Sequence, residues 1–393
     1  MPIAHKVKDS LQRGSWIRVM FEAGAKLRQE KGAENVFDFS LGNPNVPPPE
    51  AFYQVLTRLA ADRTPGMHGY MPNAGVPGVR QKLAAYLERT FAFAFTPDDV
   101  VMTVGAGGAL NIIFKTILNP GEEIVVPMPY FVEYDTYLDN HGGKVCRVAT
   151  NDDFSLNLQN IANAINEKTA GVLINTPNNP TGVVYSPQQL KELGSLLDDL
   201  SRKRGRALYL ISDEPYRDII YDNLSAGNIF SSYANTIVAT SFSKNLSLPG
   251  ERIGYVAIHP NIADKELLRA GLIMSNRILG YVNAPAIMQL AVAELLDEKI
   301  DIEQYARKRD LMCQVLDQAD FAYTRPVGAF YVFPPSPVAD DVAFAQAAME
   351  ENILLVPGSG FRGPGHFRLA YCCSDETIIN SLPAFKRLRA KYK

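Results

Sequence analysis

A lysine, an aspartate, an asparagine and two arginines stand where they could do chemistry together. Lys244 closes the segment Ser241-Phe242-Ser243-Lys244, just past the apolar run TIVAT. An amine at a strand end faces a crevice, and burial beside other cations lowers its pKa until it is a competent nucleophile. Asp213 follows the run ALYLI in Ser212-Asp213-Glu214-Pro215-Tyr216. A carboxylate set against a pyridine nitrogen keeps that nitrogen protonated, and Tyr216 could donate to a phenolic oxygen on the same ring. Asn179, in the turn Asn178-Asn179-Pro180-Thr181-Gly182, projects a rigid amide, with Asn175 at the strand end as its candidate helper. Gly105-Ala106-Gly107-Gly108 links a strand to a helix, where small residues and the helix N-terminus together suit a phosphate. Ser241 and Ser243 could add hydroxyls. Arg252, eight residues beyond Lys244, could clamp the same anion with two parallel hydrogen bonds, and Arg368 in HFRLAY could take a carboxylate.

Each residue also has a plainer reading. Lys244 reads as a solvated surface lysine, Asp213 as a cap on the next turn, and the glycines as turn geometry. Arg252 reads as the partner of Glu214 or another carboxylate, and Arg368 as internally paired.

The elements around these residues give the argument its force. Short apolar runs, VVMTVG, EIVVPM, KVCRVA, GVLINT, ALYLIS and TIVATS, read as buried parallel strands. Helical segments such as GALNIIFKTIL and SPQQLKELGSLLDDLSRKR lie between several of them, the second with Ser186 as N-cap and Pro187 at the first helical position. This alternation predicts an α/β fold with a mostly parallel sheet flanked by helices. In such sheets ligands bind beyond the carboxyl ends of the strands, which is where the four chemistry-bearing segments fall. An amphipathic helix with Ile17, Met20, Phe21 and Leu27 on one face precedes the sheet and stops at Gly32. After about residue 285, long helical stretches and the runs AFYVFP, ILLVPG and FRLAY, closed by DETIINSLPAFKRLRAKY, predict a smaller α+β unit. The expected division is a large domain over 46–285 and a small one from 1–45 and 286–393.

Bulk properties exclude several classes. With 39 basic and 42 acidic residues and a net charge of -3, nothing points to nucleic acid or an anionic membrane. No run approaches the length of a membrane span. The four cysteines, Cys146, Cys313, Cys372 and Cys373, lack metal-binding spacing, so no metal site is expected. The N-terminal stretch MPIAHKVKDSLQRGSW lacks the apolar run of a signal peptide, and the expected location is cytoplasmic, with reduced thiols.

Taken in order, GNP, Y-x-P-x-x-G, the glycine-rich turn, NNPTG, SDEPY, SFSK with its arginine eight later, and FRLA resemble the class I/II aminotransferases of the fold-type I pyridoxal-phosphate enzymes, aspartate-aminotransferase-like. The resemblance runs from about residue 40 to 371. It implies pyridoxal 5'-phosphate as cofactor, held as a Schiff base by Lys244, which also shuttles the substrate proton. It implies Asp213 as partner of the pyridine nitrogen, Tyr216 and Asn179 as donors to the phenolic oxygen, and Ala106, Gly107, Ser241 and Arg252 as the phosphate cup. It implies Phe131, in PYFVEY, as the ring that stacks on the cofactor, with adjacent Tyr130 as the alternative register, and Arg368 with the backbone at Gly42 as the holders of the substrate's α-carboxylate. It implies that Tyr70 reaches the neighbouring subunit's phosphate, and with that a homodimer. The implied reaction is ping-pong transfer of an amino group between an L-amino acid and a 2-oxo acid.

Some relatives carry a lysine in the glycine-rich turn to read a distal carboxylate, but this chain has Gly-Ala-Gly-Gly there. Arg277 is a candidate reader of an acidic side chain and Arg18 a second; a surface salt bridge and a solvent-facing helix position are the plainer readings. Two alternatives share the core residues: a pyridoxal-phosphate-dependent carbon-sulfur β-lyase, and a non-catalytic cofactor-binding regulator. The second would need a DNA-binding unit, and the chain shows no such extension.

Overall fold

The computed structural model describes residues 3–13 and 16–393; the side chains of Ile17, Arg18 and Phe21 lie outside the described residues, and with them the expectation for Arg18. Among the described residues twelve strands follow in chain order: β1 Phe37–Asp38, β2 Val100–Thr103, β3 Glu123–Met128, β4 Lys144–Ala149, β5 Thr169–Asn175, β6 Tyr209–Asp213, β7 Thr236–Ser241, β8 Gly254–Ile258, β9 Tyr331–Val332, β10 Ile353–Leu354, β11 Val356–Pro357 and β12 Phe367–Ala370.

Seven of them form one sheet in the order β2-β8-β7-β6-β5-β3-β4. All six anticipated runs are strands of it. The seventh, β8, was not anticipated and runs antiparallel to both β2 and β7. Its sequence GYVAI is short and follows directly on a Pro-Gly turn, so it carried no pattern of its own. Every residue of β5, β2 and β8 is buried, which is why these runs are apolar without alternation. On the edge strand β4, Lys144 and Arg147 are exposed, charges that discourage pairing with another sheet.

Alternate side chains of the strands enter two separate cores. Met102, Val125, Val172, Ile174, Leu210 and Val238 pack into one. Val101, Ile124, Leu173, Ile211, Ile237 and Val256 pack into the other, against the helix Gly105–Ile117. The helix Pro187–Arg204 covers the first face; the Ser186 side chain accepts from the Gln189 backbone N–H, the Ser186 N–H donates to the Gln189 side-chain oxygen, and Gly205 ends the helix with φ of 63°.

A third core gathers Phe39, Tyr305, Phe330, Phe344, Phe367 and Phe385, around the short strands β12, paired antiparallel with β11 and β9. The N-terminal segment joins it through β1, parallel to β10. The run expected to be helical after 285 breaks into Ala286–Val292 and Ile302–Gln318. Met288 and Val292 of the first pack with Val79 and Leu83 in the core under the large sheet. The closing helix is also two, Asp375–Asn380 and Leu382–Ala390, the second with Pro383 in its first turn, where no amide donor is needed. Among the described residues, no helix is long and apolar enough to cross a membrane.

Candidate active site

Sheet register brings the site together. Gly254 of β8 lies opposite Thr103 of β2 on one side and Ser241 of β7 on the other. The turn after β2, the turn after β7 and the turn before β8 therefore meet at one edge. Two strands further, Asn175 pairs with Asp213, and Asp213 with Ala239. A cavity of about 320 Å³ opens over these strand ends, lined by Gly42, Ala106, Gly107, Phe131, Asn179, Asp213, Tyr216, Ser241, Lys244, Arg252 and Arg368 among others. The residues expected to hold cofactor and substrate, with Phe131 rather than Tyr130, all line it except Tyr70, which is 97% exposed and outside it. Arg277 is exposed near the end of the helix Lys265–Ile278 and does not line the cavity either.

Lys244 Nζ donates to the Gly42 carbonyl at 2.8 Å and faces the rings of Phe330 and Tyr216 at 5.5 and 5.9 Å. Burial pulls its pKa down to about 8; buried Cys372 opposes the fall, while Arg368 and Arg252 add to it. A large fraction of the amine is therefore neutral near pH 8. Gly42 must be glycine for a close approach: a Cβ there would lie 1.9 Å from the Tyr331 hydroxyl.

Asp213 is buried, and burial pushes its carboxyl up to about 7; a hydrogen bond from Tyr134 pulls it back and the charge of Glu214 pushes it further up. Its Oδ2 accepts from the Tyr134 hydroxyl at 2.5 Å, while Oδ1 is buried with no partner. Arg368, 1% exposed, donates from Nη1 to Asn179 Oδ1 at 3.0 Å and from Nη2 to the Ser40 carbonyl at 2.5 Å, and its Nε has no partner. Its guanidinium lies 4.6 Å from the rings of Tyr331 and Phe361. A fully buried cation with no carboxylate beside it costs several kcal/mol unless an anion arrives. Among the described residues Arg368 is thus paired internally by two hydrogen bonds to neutral groups, with its Nε left over.

Arg252 does not pair with Glu214, which instead accepts from Arg217 at 2.9 Å and from Ser212 at 2.7 Å. Arg252 lies over the glycine turn: Gly105 has φ of 75°, and a Cβ on it would come within 2.9 Å of Arg252 Nη2. Ser241 Oγ donates to Ser243 Oγ at 3.0 Å beside them. Tyr216 and Tyr331 share a 2.8 Å hydrogen bond between hydroxyls. Of the two candidate aromatics, Phe131 lines the cavity; Tyr130 is buried away from it, donating to Asp135 at 2.7 Å and accepting from Arg147 at 2.8 Å.

The sequence reading did not single out Tyr134, Tyr137 or Tyr331. Tyr134 lies three residues beyond Phe131 in the same PYFVEY segment, so helical spacing was the available signal; Tyr331, in GAFYVFP, carried none.

The family model "Aminotransferase class I and II" matches residues 34–384. An aspartate/prephenate aminotransferase of Thermus thermophilus is 32% identical over 361 residues, covering 88% of this chain and 89% of its own. A solved amino transferase from Eubacterium rectale superposes with a TM-score of 0.97 at 37% identity over the whole of both chains. The aspartate aminotransferase of Thermus thermophilus solved with maleate superposes with a TM-score of 0.86 at 28% identity, covering 99% of this chain and all of the other. The expected fold-type I architecture is the one observed, and the chain belongs to the class I and II aminotransferases.

Proposed function

We propose that this aminotransferase uses pyridoxal 5'-phosphate, as its family does in general, in the cavity above the strand ends. The residues fit that group. Asp213 offers an unpartnered buried oxygen, and Arg252 with the Ala106–Gly107 turn and Ser241 offers an anion cup. Phe131 offers a ring face, and Lys244 a partly neutral amine. When bound, the cofactor supplies the electron sink for loss of the substrate's α-proton.

The chain's own residues supply the rest. Lys244 would hold the cofactor covalently through its amine and, when that amine is free, would take up and return the substrate's α-proton. Its pKa, pulled down by burial to about 8, lies closer to neutrality than that of an ordinary lysine, which favours proton transfer in both directions. Asp213 would keep the ring nitrogen protonated. Asn179 Oδ1 is taken by Arg368, which leaves its amide N–H groups, with the Tyr216 hydroxyl, as donors to the phenolic oxygen. Arg368 and the Gly42 backbone orient the α-carboxylate; the free Nε of Arg368 is the observation that carries the substrate class, an α-amino or α-oxo acid.

The reading extends to a cytoplasmic homodimer in which Tyr70, exposed in the single chain, reaches the partner's phosphate cup. It also places the border between the two units later than 285, because Met288 and Val292 pack under the large sheet.

The test is a half-reaction. Cofactor-loaded protein given an amino acid and no acceptor should release one equivalent of 2-oxo acid and no ammonia. Continuous release of pyruvate with ammonia would make it a β-lyase instead.

A further inference from the structure

The two oxygens of Asp213 are not equivalent. Oδ2 accepts from the Tyr134 hydroxyl at 2.5 Å and Oδ1 has no partner. Tyr134 is 1% exposed and sits on the helix Glu133–Asp139 between β3 and β4. Its ring cannot turn freely. It stacks on Tyr130, with centroids 6.0 Å apart and planes 12° apart, and meets Phe131 edge-on at 5.7 Å. Tyr130 is itself tied to Asp135 and Arg147, and its backbone N–H donates to the Phe361 carbonyl at 3.0 Å. A hydroxyl held by this packing has one hydrogen to give, and it gives it to Asp213.

We propose that Tyr134 is a positioning residue for the amino-transfer reaction: its hydroxyl pins Asp213 Oδ2, so that Oδ1 alone faces the ring nitrogen and the carboxylate stays charged. This rests on the cofactor reading above. The other groups around Asp213 do not replace the hydroxyl. Glu214 carries a like charge, Tyr137 and Tyr216 interact with it without a hydrogen bond, and Asn175 Nδ2 holds only the Asp213 main-chain carbonyl, at 2.8 Å. Burial favours the neutral acid, and the Tyr134 bond is the one contact that opposes it. A neutral acid no longer balances a protonated ring nitrogen, so losing the hydroxyl weakens the grip on that nitrogen and on nothing else in the ligand.

That selectivity is the test. Tyr134→Phe removes the hydroxyl and keeps the ring packing. Apoprotein is titrated by absorbance with pyridoxal phosphate and with a phosphorylated salicylaldehyde, which has a carbon in place of the ring nitrogen. The variant should bind pyridoxal phosphate about tenfold more weakly at pH 7.5 and bind the nitrogen-free probe as the parent protein does. The alkaline shift of the binding-versus-pH inflection, by about one pH unit, should accompany the loss. Equal loss for both probes would show that Tyr134 serves packing alone, and unchanged binding of pyridoxal phosphate would show that the hydroxyl is dispensable; either overturns the proposal. A parent protein that binds neither probe would overturn the cofactor reading and this inference with it.

Discussion

Replacing Asp213 by asparagine should stabilise the cofactor-free protein while weakening its hold on the cofactor. The buried carboxyl titrates at about 7 in the fold against 3.8 for an ordinary aspartate, a rise of about 3. At about 1.4 kcal/mol per pH unit, that corresponds to about 4 kcal/mol. The sign follows from the raised value. The carboxyl's contribution is fully present below about pH 4, where it is protonated in both folded and unfolded chains, and is lost as pH rises through 7. Asparagine does not titrate, and its amide oxygen can still accept from Tyr134. The difference in unfolding free energy, Asp213→Asn minus parent, should therefore rise with pH between about 4 and 7 and level off above, by about 4 kcal/mol in all. Urea denaturation of both cofactor-free proteins from pH 4.5 to 8.5 measures this. Added pyridoxal phosphate should reverse the order, because only the parent can balance a charged ring nitrogen. A difference independent of pH would refute the assignment of a carboxylate whose charge burial disfavours at this position.

Two further outcomes follow from the same cavity. Arg368→Lys keeps the charge but cannot span Asn179 and Ser40 while presenting a third donor, so the KM for the amino donor should rise about 100-fold, with a much smaller loss of cofactor affinity through Asn179; steady-state kinetics beside cofactor titration separate the two. Gly105→Ala forces a side chain onto a left-handed backbone and into Arg252, so apoprotein should lose about tenfold in affinity for inorganic phosphate, read by calorimetry.

The site was more legible than the fold that carries it. Lys244, Asp213, Asn179 and Arg252 each follow or precede a strand of the large sheet, and their neighbours Gly, Pro, Ser and Asn are turn formers with fixed positions, so local sequence marked the strand ends. What local sequence could not mark was β8, a five-residue strand whose pairing to β2 and β7 is wholly long-range, although it is what swings Arg252 over the glycine turn. Tyr134 and Tyr331 were passed over for the same reason: an aromatic in an apolar segment reads as core until its hydroxyl is seen to meet Asp213 or Tyr216. Met288 and Val292 sit beyond the expected border because a helical pattern shows which face is apolar but not which core it will join.

The proposed function stands or falls with Lys244 as the reactive amine. Borohydride reduction of the cofactor-loaded protein, followed by proteolysis and mass spectrometry, should place a phosphopyridoxyl group on the peptide containing Lys244, and Lys244→Ala should show neither that adduct nor amino transfer. An adduct on a different lysine, or transfer retained by Lys244→Ala, would contradict the account.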